Sequence, residues 1–332
     1  MSETRKIAVI GSNSFSGSDF IDLLLEDDRN DVIGISRSPE KSDFYLPYKH
    51  HNSSRFEFYQ LDLNKDSAKI LDLLDTFQPA KVVNFAAQSE VGPSWDYPEQ
   101  WFETNVVSLA KLTNKLRKRG YLDRYVHISS PEVYGECEGK VLESAPLNPS
   151  TPYAASKAAA DLFLFTLVEN YNFPMVMIRA TNVYGACQQP WKIIPRSVIY
   201  IKSGKTIELH GGGAAVKSYI HIRDVSKGEL AAMDKGRIGE VYHLSPPRGY
   251  AVRDVVKKIC ELMGREFDEA TISVDERPGQ DAAYLVNSNK AAEEFDWSPT
   301  VSLQDGLLEV VEWVDDHWHE IRTSPLEYSH QP

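Results

Sequence analysis

The chain has 332 residues, 36 Lys+Arg against 48 Asp+Glu for a net charge of −12, and 42% hydrophobic residues. This is globular composition, long enough for two domains, and it excludes both intrinsic disorder and polyanion binding as the main activity. Mean hydropathy is −0.37, and no apolar run approaches the ~20 residues of a membrane span.

Three scattered cysteines, Cys137, Cys187 and Cys260, make neither a disulfide framework nor a CxxC metal site and read as small, partly buried thiols. No apolar signal segment follows Met1. A cytoplasmic protein with no membrane or nucleic-acid partner is expected.

In chain order, residues 6–10 read as a strand that runs into Gly11-Ser12-Asn13-Ser14-Phe15-Ser16-Gly17, with a helix over 17–25. A glycine at such a turn lets backbone approach a pyrophosphate, and the N–H groups at the helix start supply partial positive charge. Gly11, Ser14, Phe15, Ser16 and Gly17 are therefore candidate dinucleotide contacts. The spacing is GxxxxxG with serine in the middle, a departure from GxxGxxG that a merely tight turn also fits. Strand 31–35 ends at Ser36-Arg37. An acid there would bond the ribose 2′-hydroxyl of NAD, whereas a hydroxyl beside a guanidinium suits a 2′-phosphate. The pair leans toward NADP over NAD, with Arg37 stacking on adenine or facing solvent as alternatives.

Segment 37–55 carries Tyr45, Tyr48, His50 and His51 and reads as a surface excursion. The adjacent histidines show no ligand partners at metal-site spacing, so no metal is expected. Strands 55–60 and 81–85 flank a helix over 66–77. Asp62 and Leu63 after the first strand, and Ala86 and Ala87 after the second, fall where such sheets line the adenine and the nicotinamide ribose. A helix over 99–118 ends in a cationic run before Gly120, where cations suit the helix dipole.

Strand 124–129 ends in Ser129-Ser130-Pro131-Glu132. Ser130 and Glu132 thus stand at the C-terminal sheet edge, Ser130 able to bond a reacting oxygen and Glu132 offering a carboxylate, or a solvated loop glutamate. The strongest signal is Thr151-Pro152-Tyr153-Ala154-Ala155-Ser156-Lys157, because Tyr153 and Lys157, four apart, share one face of a helix over 153–171. A phenol with pKa near 10 is about one part in a thousand ionised at pH 7, and lowering it by three units takes about 4 kcal/mol. A fixed ammonium and a nicotinamide cation could supply that. Tyr153 would then remove a hydroxyl proton while hydride leaves the carbon.

Strand 174–179 makes six, a Rossmann-like count. Beyond it, prolines and glycines interrupt shorter elements, with helices expected over 193–202, 225–235, 252–263 and 303–319. The expected fold is α/β: a Rossmann-like, doubly wound parallel sheet over 1–180 and a smaller C-terminal α/β substrate lobe over 181–321. A polar tail over 322–332 is expected to be loosely held.

The chain resembles the extended short-chain dehydrogenase/reductases of the nucleotide-sugar type, and among them most the dTDP-glucose 4,6-dehydratase group. The likeness rests on Asn84-Phe85-Ala86-Ala87-Gln88-Ser89, on His127 to Gly135, on Pro149 to Lys157, on Arg179-Ala180-Thr181-Asn182-Val183-Tyr184-Gly185, and on Arg277-Pro278-Gly279-Gln280-Asp281. The resemblance implies that Ser130, Tyr153 and Lys157 oxidise a sugar C4 hydroxyl with a tightly held, recycled nicotinamide as acceptor. It implies that Glu132 removes the C5 proton while the C6 hydroxyl leaves as water, and that hydride returns to C6. It further implies that Ser89 and Asn182 touch the sugar or its phosphates, that Lys192, Lys217 and Arg277 lie along the nucleotide diphosphate, and that helices near 99–118 and 153–171 form a homodimer.

One departure stands out. The dTDP-glucose enzymes carry aspartate then glutamate after the serine or threonine, and this chain has Pro131, which donates no proton. An epimerase, a decarboxylase, a 4-dehydrogenase or a catalytically silent nucleotide-sugar-binding protein stays open on that account.

Overall fold

The computed structural model describes residues 4–51, 54–137, 139–276 and 285–331. Arg277 and its motif lie outside the described residues. Strands β1 (Arg5–Ile10), β2 (Asn30–Ser36), β3 (Phe56–Gln60), β4 (Lys81–Asn84), β5 (Arg124–Ile128), β6 (Met175–Ala180) and β7 (Val241–Leu244) form one sheet in the order β7-β6-β5-β4-β1-β2-β3. Every pairing in it is parallel.

The β-branched runs explain the sheet, since alternate residues go to opposite faces and both faces are covered. Ile7, Val9, Val83, Val126 and Ile178 pack with Phe20 and Leu24 of α1 (Phe15–Leu25) on one side. Ala8, Ile10, Ile33 and Val82 meet Leu71 and Leu74 of α2 (Ser67–Phe77), Leu112 and Leu116 of α3 (Leu109–Leu116) and Leu164 of α4 (Pro152–Tyr171) on the other.

Six strands stand within a residue of expectation, and the seventh was not foreseen. β7 comes from beyond residue 180 and pairs with β6, Val241 opposite Met177 and Leu244 opposite Ala180. Four residues between a glycine turn and Pro246-Pro247 carry too little pattern to read as a central-sheet element. The sheet layer therefore draws on both sides of residue 180. The helix expected over 99–118 is also three pieces: Pro98–Phe102, a π-helical turn over Glu103–Ser108, and α3.

In the second lobe, α5 (Ile193–Lys202), α6 (Ile222–Lys235), α7 (Val252–Leu262) and α8 (Leu303–Asp316) appear where expected, α6 beginning three residues early and α8 ending three early. Val198, Val255, Ile259, Leu307 and Val310 form its core. No described helix is long and apolar enough to cross a membrane.

β1 sits between β2 and β4, so successive connections leave it in opposite directions. This is the topological switch point, and a crevice opens there at the C-terminal ends of the strands.

Candidate active site

A cavity of about 250 Å3 fills that crevice. Its walls bring together Gly11 and Ser14 from the first turn, Ser36 and Arg37 from the end of β2, and Asp62 and Leu63 after β3. Ala86 and Ala87 close it from the end of β4. Phe15, Ser16 and Gly17 form the first turn of α1 instead.

Two close approaches require the glycines. Gly11 has φ +87°, and a Cβ there would lie 2.6 Å from the Ala86 nitrogen; a Cβ on Gly17 would lie 2.4 Å from the Gly11 carbonyl oxygen. The serine that breaks the GxxGxxG pattern holds the turn, since Ser14 Oγ accepts from the Gly17 N–H at 3.0 Å and caps α1. A floor with no side chain, at a helix start, fits the pyrophosphate of a dinucleotide.

The end of β2 differs from a 2′-phosphate site. Ser36 Oγ accepts from the Asn13 N–H at 2.9 Å, and Arg37 Nη2 donates to the Gln331 carbonyl at 3.0 Å. Both groups work within the fold, so the lean toward NADP finds no support in this geometry. Asp62 turns its carboxylate to its own loop, accepting from the Asn64 N–H at 2.8 Å.

The second group of candidate residues stands where β5 and α4 meet. Pro152 at the first turn and the Thr151 side chain, which accepts from the Ala154 N–H, start α4 just before Tyr153. The Tyr153 N–H donates to Ser94 Oγ at 3.2 Å, which anchors the residue to the loop after β4. Burial raises the Tyr153 phenol above its ordinary value, the Glu132 carboxylate raises it further, and a hydrogen bond with Ser130 opposes both. The depressed phenol expected from the sequence is therefore not a property of the protein alone, because burial dominates and the nearby ammonium is engaged elsewhere. Lys157 Nζ donates to the Ile128 carbonyl at 2.7 Å. Burial lowers this ammonium to about 8, with Asp161 opposing and Arg179 adding to the shift.

One helical turn on, Asp161 is fully buried and accepts from Ser129 Oγ and Arg179 Nη2, each at 2.7 Å. Arg179 also donates to the Tyr134 hydroxyl, which lies 2.7 Å from His243 Nε2. A buried polar network therefore backs the Tyr153–Lys157 face. Ser130 Oγ accepts from the Glu132 N–H at 3.2 Å and holds the following turn, in which Pro131 is buried.

Ser130, Tyr153 and Lys157 line neither the crevice nor a second cavity, of about 600 Å3, that lies between the lobes with Glu132 on its wall. Ser89, Glu132, Asn182, Lys192 and Lys217 all line it, so every described candidate for substrate contact is gathered there. Glu90 lines both cavities; it pairs with Lys192 Nζ at 2.8 Å and accepts from Trp191 Nε1 at 3.1 Å.

The sequence left His50 and His51 without partners, and the structure supplies one. Asp22, His50 and His51 place their ligand atoms within 4.8 Å of one another. Arg223 binds the other Asp22 oxygen, and His50 Nδ1 lies 2.6 Å from the Pro47 carbonyl. Asp22 lies on α1 and the two histidines on the turn over residues 47–51, and none of the three lines either cavity.

A family model described as GDP-mannose 4,6 dehydratase matches residues 9–310. The chain belongs to this family. It is an enzyme family of the extended short-chain dehydrogenase/reductase class that the motifs resemble. The trifunctional UDP-glucose 4,6-dehydratase/UDP-4-keto-6-deoxy-D-glucose 3,5-epimerase/UDP-4-keto-L-rhamnose-reductase of Arabidopsis thaliana is 31% identical over 93% of this chain and 47% of its own length. The chain thus spans about half the length of that curated relative. The crystal structure of the dTDP-glucose 4,6-dehydratase DesIV from Streptomyces venezuelae, with NAD bound, is 29% identical with a TM-score of 0.87, covering 95% of this chain and 98% of that one. The UDP-glucuronic acid 4-epimerase from Bacillus cereus, in complex with UDP-glucuronic acid and NAD, is 27% identical with a TM-score of 0.86, covering 94% and 99%.

Within this family member, sequence reading missed Asn105, Gln88, Ser94 and Glu90. Asn105 sits in the π turn, accepts from the Gln88 N–H at 2.8 Å, and donates to the Gln88 carbonyl and to Ser156 Oγ. It ties the loop after β4 to α4. Read as one continuous helix, 99–118 leaves no place for the wider π turn over Glu103–Ser108 that carries Asn105.

Proposed function

We propose that this protein is an NAD-dependent nucleotide-sugar 4,6-dehydratase whose nucleoside-diphosphate sugar occupies the 600 Å3 cavity. The observation that carries this reading is Glu132, which lines that cavity and whose charge acts on the Tyr153 phenol. Oxidation at C4 alone needs no carboxylate beside the phenol; removal of a C5 proton does.

Gly11, Ser14, Ala86 and Ala87, with the first turn of α1, would hold the dinucleotide. Bound there, NAD supplies a hydride acceptor for C4 and the hydride that later returns to C6. Tyr153 takes the C4 hydroxyl proton, Ser130 hydrogen-bonds the same oxygen, and the Lys157 ammonium favours the phenolate. Glu132 takes the C5 proton, which the C4 ketone makes acidic. Pro131 donates no proton, so within the Ser130–Glu132 turn the protonated Glu132 is the acid that passes this proton to the departing C6 oxygen. As hydride returns to C6, C5 takes up one proton in exchange for the one Tyr153 had drawn from the C4 hydroxyl, and the enzyme regains its starting protonation.

NAD is preferred to NADP because Ser36 and Arg37 are held by Asn13 and Gln331, and the structural relatives above contain NAD. Ser89 and Asn182 would face the sugar and its phosphates, with Lys192, Lys217 and Arg277 along the diphosphate. Phe102, Val107, Leu162 and Tyr171 are exposed apolar side chains on the segments 99–118 and 153–171, which supports a homodimer through these helices. Sedimentation at micromolar concentration tests it; a monomer removes the claim. Three free thiols suit the reducing cytoplasm.

Pro131 favours a second reading, a 4-epimerase, which needs no acid for a leaving hydroxyl. Incubation with a panel of nucleotide sugars, read by product mass, separates these. Loss of one water supports the dehydratase, loss of carbon dioxide a decarboxylase, and unchanged mass with altered stereochemistry the epimerase. Saturable binding without turnover on any sugar points to a silent binding protein.

A further inference from the structure

The tail expected to be loose lies instead across the dinucleotide cavity. After the short helix Trp318–Ile321, Leu326 packs on the core of the second lobe, and Tyr328 joins the cavity wall with its ring 5.8 Å from that of Trp191. His330 stacks on two rings, 5.1 Å from Tyr97 at 10° and 5.2 Å from Trp101 at 19°. Its Nε2 lies 2.6 Å from Gln100 Oε1 and its Nδ1 lies 3.0 Å from the Tyr328 hydroxyl. With Gln100 Oε1 accepting, Nε2 carries the proton and Nδ1 accepts from Tyr328.

The next carbonyl makes the crossing. Gln331 O accepts from Arg37 Nη2 at 3.0 Å and from Gln88 Nε2 at 2.9 Å. Arg37 follows β2 and Gln88 follows β4, and β1 with its Gly11 turn lies between those strands. One backbone atom thus bridges the two walls of the crevice above the place where the glycine turn would receive a pyrophosphate.

We propose that residues 328–331 are an unassigned part of the pyridine-dinucleotide site, a strap that must lift for the cofactor to enter or leave. The cavity beneath the strap, about 250 Å3, is smaller than the ~300–1,000 Å3 that drug-sized ligands occupy, and a dinucleotide is larger than those ligands. The two stacks and the hydrogen bonds are individually weak but open together. A cofactor regenerated in each turnover has no need to leave, so such a strap suits internal recycling; it would throttle a dehydrogenase that exchanges its cofactor every cycle. The inference rests on the dinucleotide reading of this cavity.

The test loads the full chain with NAD and follows its replacement by excess radiolabelled NAD, beside His330→Ala and a chain ending at Glu327. The expected result is exchange faster by about tenfold or more in the shortened chain, with His330→Ala between the two. Rates within about twofold of one another overturn the strap while leaving the dinucleotide site intact. Loss of NAD binding in a shortened chain of unchanged melting temperature also overturns it, since the segment would then be a plain wall. Should the shortened chain fail to fold, His330→Ala, which removes only the His330 stacks and hydrogen bonds, decides by the same rates. A full chain that binds neither NAD nor NADP overturns the dinucleotide reading and the strap with it.

Discussion

The two sides of the Tyr153–Lys157 face are built on opposite principles. Behind it, Asp161 of α4, Arg179 of β6, Ser129 just after β5 and Tyr134 in the turn over residues 131–134 are buried and linked by hydrogen bonds. On the Glu132 side, the 600 Å3 cavity is lined by a mixture of polar and apolar side chains, many of them on loops, and its Lys192–Glu90 pair is partly exposed. Groups held in a buried hydrogen-bonded network reorient little, so their field at Tyr153 is set before a substrate arrives. Groups on the open side can exchange one partner for another. On the proposed function, the chemistry would belong to the sheet and the choice of substrate to the loops.

The largest effect should come from the face itself. Tyr153→Phe keeps the ring and removes the proton acceptor, so turnover should fall about 10²–10⁴-fold with the melting temperature little changed; unaltered product formation would sink the assignment. Breaking the buried side should instead cost stability. Asp161→Ala leaves the Arg179 guanidinium buried without its counter-charge, a loss of about 3–5 kcal/mol in a denaturant titration; a loss below about 1 kcal/mol, the range of exposed pairs, would mean that water reaches this network. Gly11→Ala should cost about 1–3 kcal/mol from the left-handed backbone, and nucleotide binding should weaken as the cavity floor shifts away from Ala86. NAD titration checks the second half.

The buried side also has a pH signature. Burial depresses Lys157 to about 8 from 10.5. Between those values the unfolded chain binds the extra proton, so the Lys157 contribution to stability rises as pH rises through this window. Activity should move the other way, since the ammonium that favours the phenolate is lost above pH 8. A pH profile in which melting temperature and turnover fall together across pH 8–10 would argue against this assignment.

The same contrast governs what could be read from the sequence. The strand–glycine–helix start, Ser130 and the Tyr153–Lys157 spacing are local patterns on regular elements, and the structure places each at the expected strand or helix end. β7 is four residues long, and its place is set by pairing with β6, a contact 64 residues away in the chain. Asn105, Glu90 and Tyr328 act through tertiary contacts made by loops, a π turn and a tail, none of which has a periodicity. Arg37 shows the converse limit: its position was legible, but its partner, the Gln331 carbonyl 294 residues later, was not.

The smallest expected effect tests the open side. In the Lys192–Glu90 pair the side chains are 34% and 21% exposed, so solvent screens the attraction and the pair should add no more than about 1 kcal/mol. Glu90 keeps the Trp191 N–H as a second partner, which softens the loss further. Lys192→Ala should therefore leave the melting curve nearly unchanged. If this lysine leaves Glu90 for the diphosphate of an incoming sugar nucleotide, KM should rise while kcat holds, because the contact is made equally before and during the reaction. A fall in kcat at constant KM would place Lys192 with the chemistry and erase the division between the two sides.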